Sequence, residues 1–228
     1  MSKTVIIAAG GCGKRLGNDK PKQFLHLAGK PMLYYSVHAF EQNENVDSII
    51  IAVPQEYLEY TEREIVSEFD FQKVLAVIAG GEERYHSVYA GLNELSSSCE
   101  IVIVHDGARP FVTSNLINEI IDAAVEFGAA IPGVLPKDTI KQIYKRKVLC
   151  TLNRDTMISV QTPQAFQYSV IMNAYRMAFL QNKFASDDAG LVELTGDPVW
   201  VLDGDDKNIK ITTSHDFTYA EWLLSEGR

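Results

Sequence analysis

A chain of 228 residues is long enough to bury a hydrophobic core without disulfides or a structural metal. Hydrophobic residues make up 46% and charged residues 22% of the sequence, which excludes disordered, collagen-like and coiled-coil proteins. The net charge of −9 makes a nucleic acid or an anionic membrane surface an unfavourable main partner. No apolar run approaches the roughly 18 residues of a membrane-spanning helix. Because the N-terminus also lacks a signal-peptide pattern, we expect a cytoplasmic protein.

Short β-branched segments alternate with longer amphipathic segments along most of the chain. The predicted strands are 4–8, 48–53, 74–79, 100–104, 129–134 and 199–202. The predicted helices are 32–42, 55–69, 83–95, 114–127, 168–181, 187–194 and 214–225, the fourth with Ser114 as its N-cap. This alternation predicts one α/β domain over residues 1–228, with a mostly parallel sheet covered by helices on both faces.

One stretch, residues 137–162, departs from the alternation. It predicts two strands, 139–144 and 148–152, around the charged turn Lys145-Arg146-Lys147, with no helix after them. Either this hairpin leaves the body as an arm, or it lies on the sheet as an ordinary edge hairpin.

In a parallel sheet, ligands bind beyond the carboxyl ends of the strands, which brings the loops starting at Ala9, Gly80 and His105 to one edge. The first loop is rich in glycine and basic residues. It fits neither the dinucleotide fingerprint, because Leu16 stands where the third glycine is required, nor the P-loop, because Arg15 follows Gly13-Lys14. Arg15 and Lys22 on such a loop would suit a triphosphate. The alternative is a solvated basic surface.

The second loop, Gly80 to Val88, could bring backbone amides and the Ser87 hydroxyl to a base edge. Taken alone, this segment is better explained as an ordinary strand-to-helix turn with Glu82 and Glu83 at the start of the helix.

The third loop, His105 to Pro110, follows a fully apolar strand. Asp106 could hold a hydroxyl or Mg²⁺, and Arg109 a phosphate; alternatively, the two form an internal ion pair that braces the turn.

The cysteines and histidines predict no metal centre. Cys12, Cys99 and Cys150 are odd in number and widely spaced, which favours reduced thiols, and no His or Cys stands at zinc-ligand spacing.

Seven motifs occur in order: A-A-G-G-x-G-x-R-x-G-x-x-x-P-K-Q-F, G-G-x-E-R-x-x-S-V, V-H-D-G-A-R-P-F, K-D-T-I-K, Q-T-P-Q-A-F, D-D-A-G-L-V-E and N-I-K-I-T. Together they resemble the 2-C-methyl-D-erythritol 4-phosphate cytidylyltransferases of non-mevalonate isoprenoid synthesis. The resemblance covers residues 3 to 220. It implies a Rossmann-like nucleotidyltransferase fold and a β-arm, residues 137–162, that joins two subunits into a homodimer.

The resemblance also implies roles for individual residues. CTP phosphates and part of the base would be held by the first loop, at Ala8, Ala9, Gly10, Arg15 and Lys22. The cytosine pocket would be shaped by Gly81, Glu82, Arg84 and Ser87. The ribose and sugar-phosphate sites would be lined by Asp106, Gly107 and Arg109. Thr139 and Arg154 of the arm would help to build the methylerythritol phosphate site of the partner subunit. Lys210 would contact the α-phosphate of CTP. One departure is visible, because the family often has Asp where this chain has Glu82.

The implied reaction is transfer of CMP from CTP to methylerythritol phosphate, with release of pyrophosphate. Its nucleophile is a phosphate whose second pKa is roughly 6, so no strong general base is needed. Cationic stabilisation then carries the catalysis, through Arg15, Lys22 and Lys210. Mg²⁺ is expected mainly on the CTP phosphates, with Asp106 as the possible protein ligand.

Three other functions remain open at this stage. Ribitol-5-phosphate cytidylyltransferases share these loops, although V-R-P replaces Ala108-Arg109-Pro110 in their pattern. A sugar-1-phosphate nucleotidylyltransferase would share the first loop without the arm. A non-catalytic nucleotide-binding protein would tolerate loss of the cations that this chain retains.

Overall fold

The computed structural model describes residues 2–11, 20–96 and 98–226. Within these ranges, an eight-stranded mixed sheet forms the centre of the molecule, in the order β10-β7-β11-β6-β1-β4-β5, with β12 paired to β7. Its strands are β1 (Ser2–Ala8), β4 (Ser48–Val53), β5 (Val74–Ala79), β6 (Cys99–Asp106), β7 (Ala129–Val134), β10 (Ser159–Val160), β11 (Gln164–Gln167) and β12 (Trp200–Asp203). Two small antiparallel pairs lie apart from it: β2 (His26–Leu27) with β3 (Lys30–Pro31), and β8 (Lys141–Tyr144) with β9 (Lys147–Thr151).

The helices follow the predicted order. They are α1 (Met32–Glu41), α2 (Leu58–Thr61), α3 (Arg84–Asn93), α4 (Ser114–Phe127), α5 (Tyr168–Gln181), α6 (Asp188–Glu193) and α7 (Ser214–Ser225). The predicted helix 55–69 is instead a 3₁₀ turn, then α2, then a π-helical stretch over Glu62–Ser67. The predicted N-cap of α4 was also wrong: Thr113 is the cap, because its hydroxyl accepts the Leu116 N–H at 3.3 Å.

The hydrophobic core lies on both faces of the sheet, because successive residues of a strand point to opposite sides. Val5 and Ile7 of β1 pack in one cluster with side chains of α1 and α4, including Phe40 and Ile117. Ile6, between them, packs in a second cluster with side chains of α3 and α5, including Val88, Leu92 and Tyr175. The prediction of helices on both faces is thus confirmed.

Strand β11 was not predicted, and it changes the topology. It lies antiparallel between β6 and β7, with Ala165 opposite Ile103 on one side and Ala130 on the other. The remaining core strands, β1, β4, β5 and β6, pair in parallel. Four residues directly after Pro163 are too few for a periodicity that distinguishes a strand from a loop.

The hairpin of β8 and β9 extends away from the core. Its two strands pair with each other, and every residue in both is exposed. Both turn residues, Lys145 and Arg146, have positive φ, as the tight turns that match strand twist require. The C-terminal part of the stretch 137–162 returns to the body, because β10 pairs with β7.

Across residues 2–11, 20–96 and 98–226, none of the helices combines the length and apolar character required to cross a bilayer.

Candidate functional site

The three predicted loops meet at one edge of the sheet, where the carboxyl ends of β1, β5 and β6 lie. The Gly107 N–H donates to the carbonyl of Ala8 at 3.0 Å. The Gly80 N–H donates to the carbonyl of Val53 at 2.7 Å, at the end of the strand between β1 and β5. We call this the carboxyl edge.

Glycines allow the first two loops to touch. A Cβ on Gly10 would lie 2.7 Å from the Ser87 hydroxyl oxygen, and a Cβ on Gly80 would lie 2.6 Å from it. The Ser87 hydroxyl is buried and accepts the Gly81 N–H at 3.2 Å. Ser87, to which the resemblance assigns a place in the cytosine pocket, fixes the two glycine loops against each other.

The far end of the first loop is tied back to its start. The Gln23 side-chain amide, 2% exposed, donates to the carbonyls of Ala9 and Gly11. Lys22 donates to the carbonyl of Ile211 at 2.7 Å. Arg15, a predicted catalytic cation in the same loop, lies outside the described residues.

Four charged side chains meet at the end of β6, and we call them the Asp106 cluster. Asp106 is 6% exposed. Its Oδ1 lies 3.0 Å from Nε of Arg84, and its Oδ2 lies 2.7 Å from Nζ of Lys210 and 3.6 Å from Nε of Arg109. Burial alone would raise the pKa of Asp106, but the three cations hold that pKa well below its usual range. The carboxylate therefore stays ionised at neutral pH.

Lys210 reaches this cluster because the segment before α7 is anchored beneath it. The fully buried Ile211 packs with Leu27, Met32 and Ala220. Its N–H donates to the carbonyl of Ala108 at 2.9 Å, so its neighbour Lys210 is placed beside the third loop.

Arg109 makes internal contacts that brace the turn, and it also borders a cavity described below. It is 8% exposed, and its Nη1 donates to the carbonyl of Asn208 at 2.6 Å. Burial lowers the pKa of Arg109, although Asp106 opposes that shift.

His105 is buried behind Asp106 and is linked to it through Thr162. The His105 Nε2 lies 3.0 Å from the carbonyl of Arg109, so this nitrogen carries the proton. Its Nδ1 lies 3.2 Å from the Thr162 hydroxyl, which accepts the Asp106 N–H at 3.0 Å. Burial lowers the pKa of His105 to about 4, which keeps the ring neutral at neutral pH.

Arg84 is held by a second carboxylate that the sequence analysis did not single out. Its Nη1 lies 2.7 Å from Oδ2 of Asp188, which is completely buried. The Tyr175 hydroxyl donates to Oδ1 of Asp188 at 2.6 Å. Burial would lower the pKa of Arg84, but Asp188 and Asp106 together raise it above its usual value.

The Asp106 cluster separates two adjoining cavities. The first, of about 460 Å³, is lined by both glycine loops and includes Lys22, Ala8, Ala9, Gly10, Gly81, Glu82, Ser87 and Gly107. The second, of about 800 Å³, lies between the cluster and the segment before α6, and includes Arg109, Thr162, Lys183 and Asp187. Arg84, Asp106 and Lys210 line both.

Thr139 and Arg154, the two predicted arm residues, line neither of these cavities. Both are exposed, and Arg154 donates to the carbonyl of Lys137 at 3.0 Å, at the base of the hairpin. The chain therefore does not bring its own arm residues to its own Asp106 cluster.

The described residues do not form a protein cage for a metal ion. Over the ranges 2–11, 20–96 and 98–226, no group of three or more His, Cys, Asp or Glu could hold one. Both oxygens of Asp106 already face cations, so its carboxylate does not fit the role of a Mg²⁺ ligand in this arrangement.

The sequence did not identify several residues that support the site, because the local pattern around each of them fits more than one role. Asp187 and Asp188 together look like helix-start acids, yet only Asp187 caps α6, accepting the Gly190 N–H at 3.1 Å. Asp188 points inward. Thr162 lies in the motif Q-T-P-Q-A-F and Gln23 in the motif P-K-Q-F. Nothing in the neighbouring sequence indicates that either side chain is buried.

Comparison with known proteins places these features in a family. The family model for 2-C-methyl-D-erythritol 4-phosphate cytidylyltransferase matches residues 3–226. A relative of that name from Clostridium perfringens is 44% identical over 226 residues, covering 98% of this chain and 100% of the relative. One of the same name from Geobacillus kaustophilus is 44% identical, covering 99% of this chain and 98% of the relative.

Solved structures agree with the fold. The crystal structure of 4-diphosphocytidyl-2C-methyl-D-erythritol synthase from Anaerococcus prevotii superposes with a TM-score of 0.87 at 30% identity, covering 98% of this chain and 96% of that one. The Francisella tularensis 2-C-methyl-D-erythritol 4-phosphate cytidylyltransferase superposes with a TM-score of 0.83 at 32% identity, covering 98% and 100%.

Proposed function

This chain belongs to the 2-C-methyl-D-erythritol 4-phosphate cytidylyltransferase family, and on that premise we propose that it transfers CMP from CTP to 2-C-methyl-D-erythritol 4-phosphate, releasing pyrophosphate. The observation that carries the proposal is the Asp106 cluster, because Arg84, Asp106 and Lys210 form a common wall between two cavities. A reaction between two phosphorylated substrates needs two adjoining sites that share cationic groups.

The first cavity is the proposed CTP site. Its volume of about 460 Å³ lies in the usual range for small-ligand pockets. Gly10 and Gly81 on its walls let backbone amides approach phosphates closely, as glycine loops do in other nucleotide sites. Lys22 and Lys210 supply positive charge on the same walls.

The second cavity is the proposed acceptor site. Arg109, Lys183 and Lys210 line it, so it can receive a sugar phosphate. Placing the acceptor here would bring its phosphate to the α-phosphorus of CTP along the shared wall.

The chemistry needs positioning and positive charge more than a base. The acceptor phosphate, with a second pKa of roughly 6, is already largely ionised at neutral pH. Lys22 and Lys210 would offset the repulsion between the substrates and stabilise the charge that moves to pyrophosphate. His105 is buried and neutral, and its ring nitrogens are engaged by Arg109 and Thr162, so we assign it no proton-transfer role.

Mg²⁺ remains part of the proposal, held by the triphosphate itself. When bound there, it would neutralise phosphate charge and favour departure of pyrophosphate. Since the Asp106 oxygens face Arg84 and Lys210, we give the protein no direct ligand to it.

The decisive experiment measures pyrophosphate release by the purified chain with CTP, Mg²⁺ and one of two acceptors. We expect turnover with 2-C-methyl-D-erythritol 4-phosphate and little or none with ribitol 5-phosphate. Preference for ribitol 5-phosphate would overturn the acceptor assignment, and CTP binding without turnover on either acceptor would identify a non-catalytic binding protein.

We also infer that two chains join through the arm, residues 137–162, which contains the hairpin of β8 and β9. Ile143, Tyr144, Val148 and Leu149 on it are each about 60% exposed, an apolar surface that a second chain would cover. The exposed Thr139 and Arg154 would then complete the acceptor site of the partner. The proposal includes a cytoplasmic location, which cell fractionation would test.

A further inference from the structure

Asp188 is a completely buried carboxylate that lines neither cavity. Its Oδ2 lies 2.7 Å from Nη1 of Arg84, and its Oδ1 accepts the Tyr175 hydroxyl at 2.6 Å. Tyr175 is also completely buried, on α5. A buried charge is costly unless it is paired and hydrogen-bonded, so the Asp188 carboxylate needs both of its partners, Arg84 and Tyr175.

The position of α6 keeps Asp188 beneath Arg84. Gln164 on β11 accepts the Ala189 N–H at 3.1 Å and donates to Asp187 at 2.7 Å. The start of α6 is therefore tied to the central sheet, and Asp188 is fixed relative to the carboxyl edge.

Arg84 is the one member of this arrangement that reaches the cavities. Its side chain is 26% exposed, and it lines both of them. Asp106 holds its Nε from one side, and Asp188 holds its Nη1 from below. Its Nη2 is buried and makes no hydrogen bond to the described part of the chain, so the two carboxylates alone hold the guanidinium in place.

We propose that Asp188, supported by Tyr175, is a positioning residue: it fixes the Arg84 guanidinium in the wall between the two cavities, where it aligns the phosphates of the two substrates. Asp188 acts only through Arg84. The rigid guanidinium fork is suited to this task because a small displacement of either phosphate lowers the rate steeply. This inference rests on the proposed function and adds to it a pair of residues that never touch the substrates.

A double-mutant cycle in kcat tests whether Asp188 works through Arg84. Asp188→Asn keeps the shape of the side chain and removes its charge; we expect kcat to fall about tenfold while KM for CTP changes much less. In an Arg84→Ala background, the same substitution should change kcat by less than about twofold, because Arg84 is no longer there to position. Equal falls in both backgrounds would show an independent structural role and overturn the proposal.

Tyr175→Phe provides a milder variant if Asp188→Asn folds poorly. It keeps the buried ring and removes one hydrogen bond to Asp188, so we expect a drop in kcat of roughly fivefold at most, again abolished in the Arg84→Ala background. Tyr89→Phe is the matched control: its ring stacks on Tyr175 with centroids 5.8 Å apart, and its hydroxyl makes no hydrogen bond within the described residues. A similar loss of kcat in Tyr89→Phe would contradict the proposal.

A second readout does not depend on turnover. In protein labelled with nitrogen-15 arginine, the Arg84 Nε–H signal, identified by its loss in Arg84→Ala, should exchange slowly in the wild type. It should exchange faster in Asp188→Asn and in Tyr175→Phe. Unchanged exchange would overturn the positioning role, whereas absence of pyrophosphate release by the wild type would overturn only the proposed function.

Discussion

Nζ of Lys210 lies 2.7 Å from Oδ2 of Asp106, joining the segment before α7 to the end of β6. Both residues also line the cavity that contains Gly10 and Lys22. The lysine of the sequence motif N-I-K-I-T thus lies at the carboxyl edge. Lys210 is 41% exposed, so it can meet a ligand while it stays paired with Asp106.

Replacing Lys210 with Ala should lower kcat by about a hundredfold while the melting temperature stays close to that of the wild type. The reason is that one fixed cation is lost beside the proposed α-phosphate position. Lys207→Ala is the matched control, because Lys207 is exposed on the same segment and lines neither cavity. Steady-state pyrophosphate release checks both variants, and near-normal turnover of folded Lys210→Ala would refute the assigned role. Lys22→Ala should behave like Lys210→Ala.

Gly10→Ala should weaken CTP binding roughly fivefold, because the loss of one hydrogen bond worth about 1 kcal/mol changes a dissociation constant by about that factor. The new Cβ would lie 2.7 Å from the Ser87 hydroxyl oxygen, which must turn away from the Gly81 N–H. Gly11→Ala is the control, because its Cβ would meet nothing within 4 Å. Isothermal titration with CTP measures both, and equal affinities would show that the loop contact has no effect on binding.

The free energy of unfolding should decrease as the pH falls from about 6.5 to about 4, in part because of His105. In the unfolded chain the imidazole takes up a proton near pH 6.5, whereas in the fold its pKa is lowered to about 4, so acid favours the unfolded state. The full contribution is up to about 3 kcal/mol.

Urea unfolding at a series of pH values checks the titration of His105. The pH dependence should be shallower in His105→Gln than in the wild type, whereas the exposed control His26→Gln should keep the wild-type slope. Identical slopes for His105→Gln and the wild type would rule out His105 as the group responsible.

Mixing two inactive variants should restore activity if the arm acts across a dimer. Arg154→Ala lacks the arm cation, and Lys22→Ala lacks the loop cation, so a mixed dimer would contain one intact site. We expect recovery of up to about a quarter of wild-type pyrophosphate release after subunit exchange. Mixed dimers that form but remain inactive would place each site within a single chain.

The sequence predicted the repeated strand–helix elements well because their periodicity is long and consistent. Predicted strands such as 48–53 and 129–134 and predicted helices such as 168–181 have the bounds seen in the structure. Strand β11 was missed because it has only four residues, and its pairing depends on β6 and β7, far away in the chain.

The candidate site was predicted in outline but not in its supporting contacts. The first and third loops place Lys22 and Asp106 at one cavity, as their positions after strands indicated. The burial of Asp188 was not predictable, because an acid at a helix start normally faces solvent. The bracing role of Arg109 likewise depends on the carbonyl of Asn208, which only the folded chain brings close.

The backbone of Ile211, near the C-terminal end, connects the first and third loops, since its N–H donates to the carbonyl of Ala108 and its own carbonyl accepts a hydrogen bond from Lys22. A truncated chain that stopped before this residue could retain the strands of the sheet, yet it would lose the peptide group that joins the first and third loops. The smallest autonomous catalytic unit must therefore extend past Ile211, and shortened versions made for drug screening should preserve it.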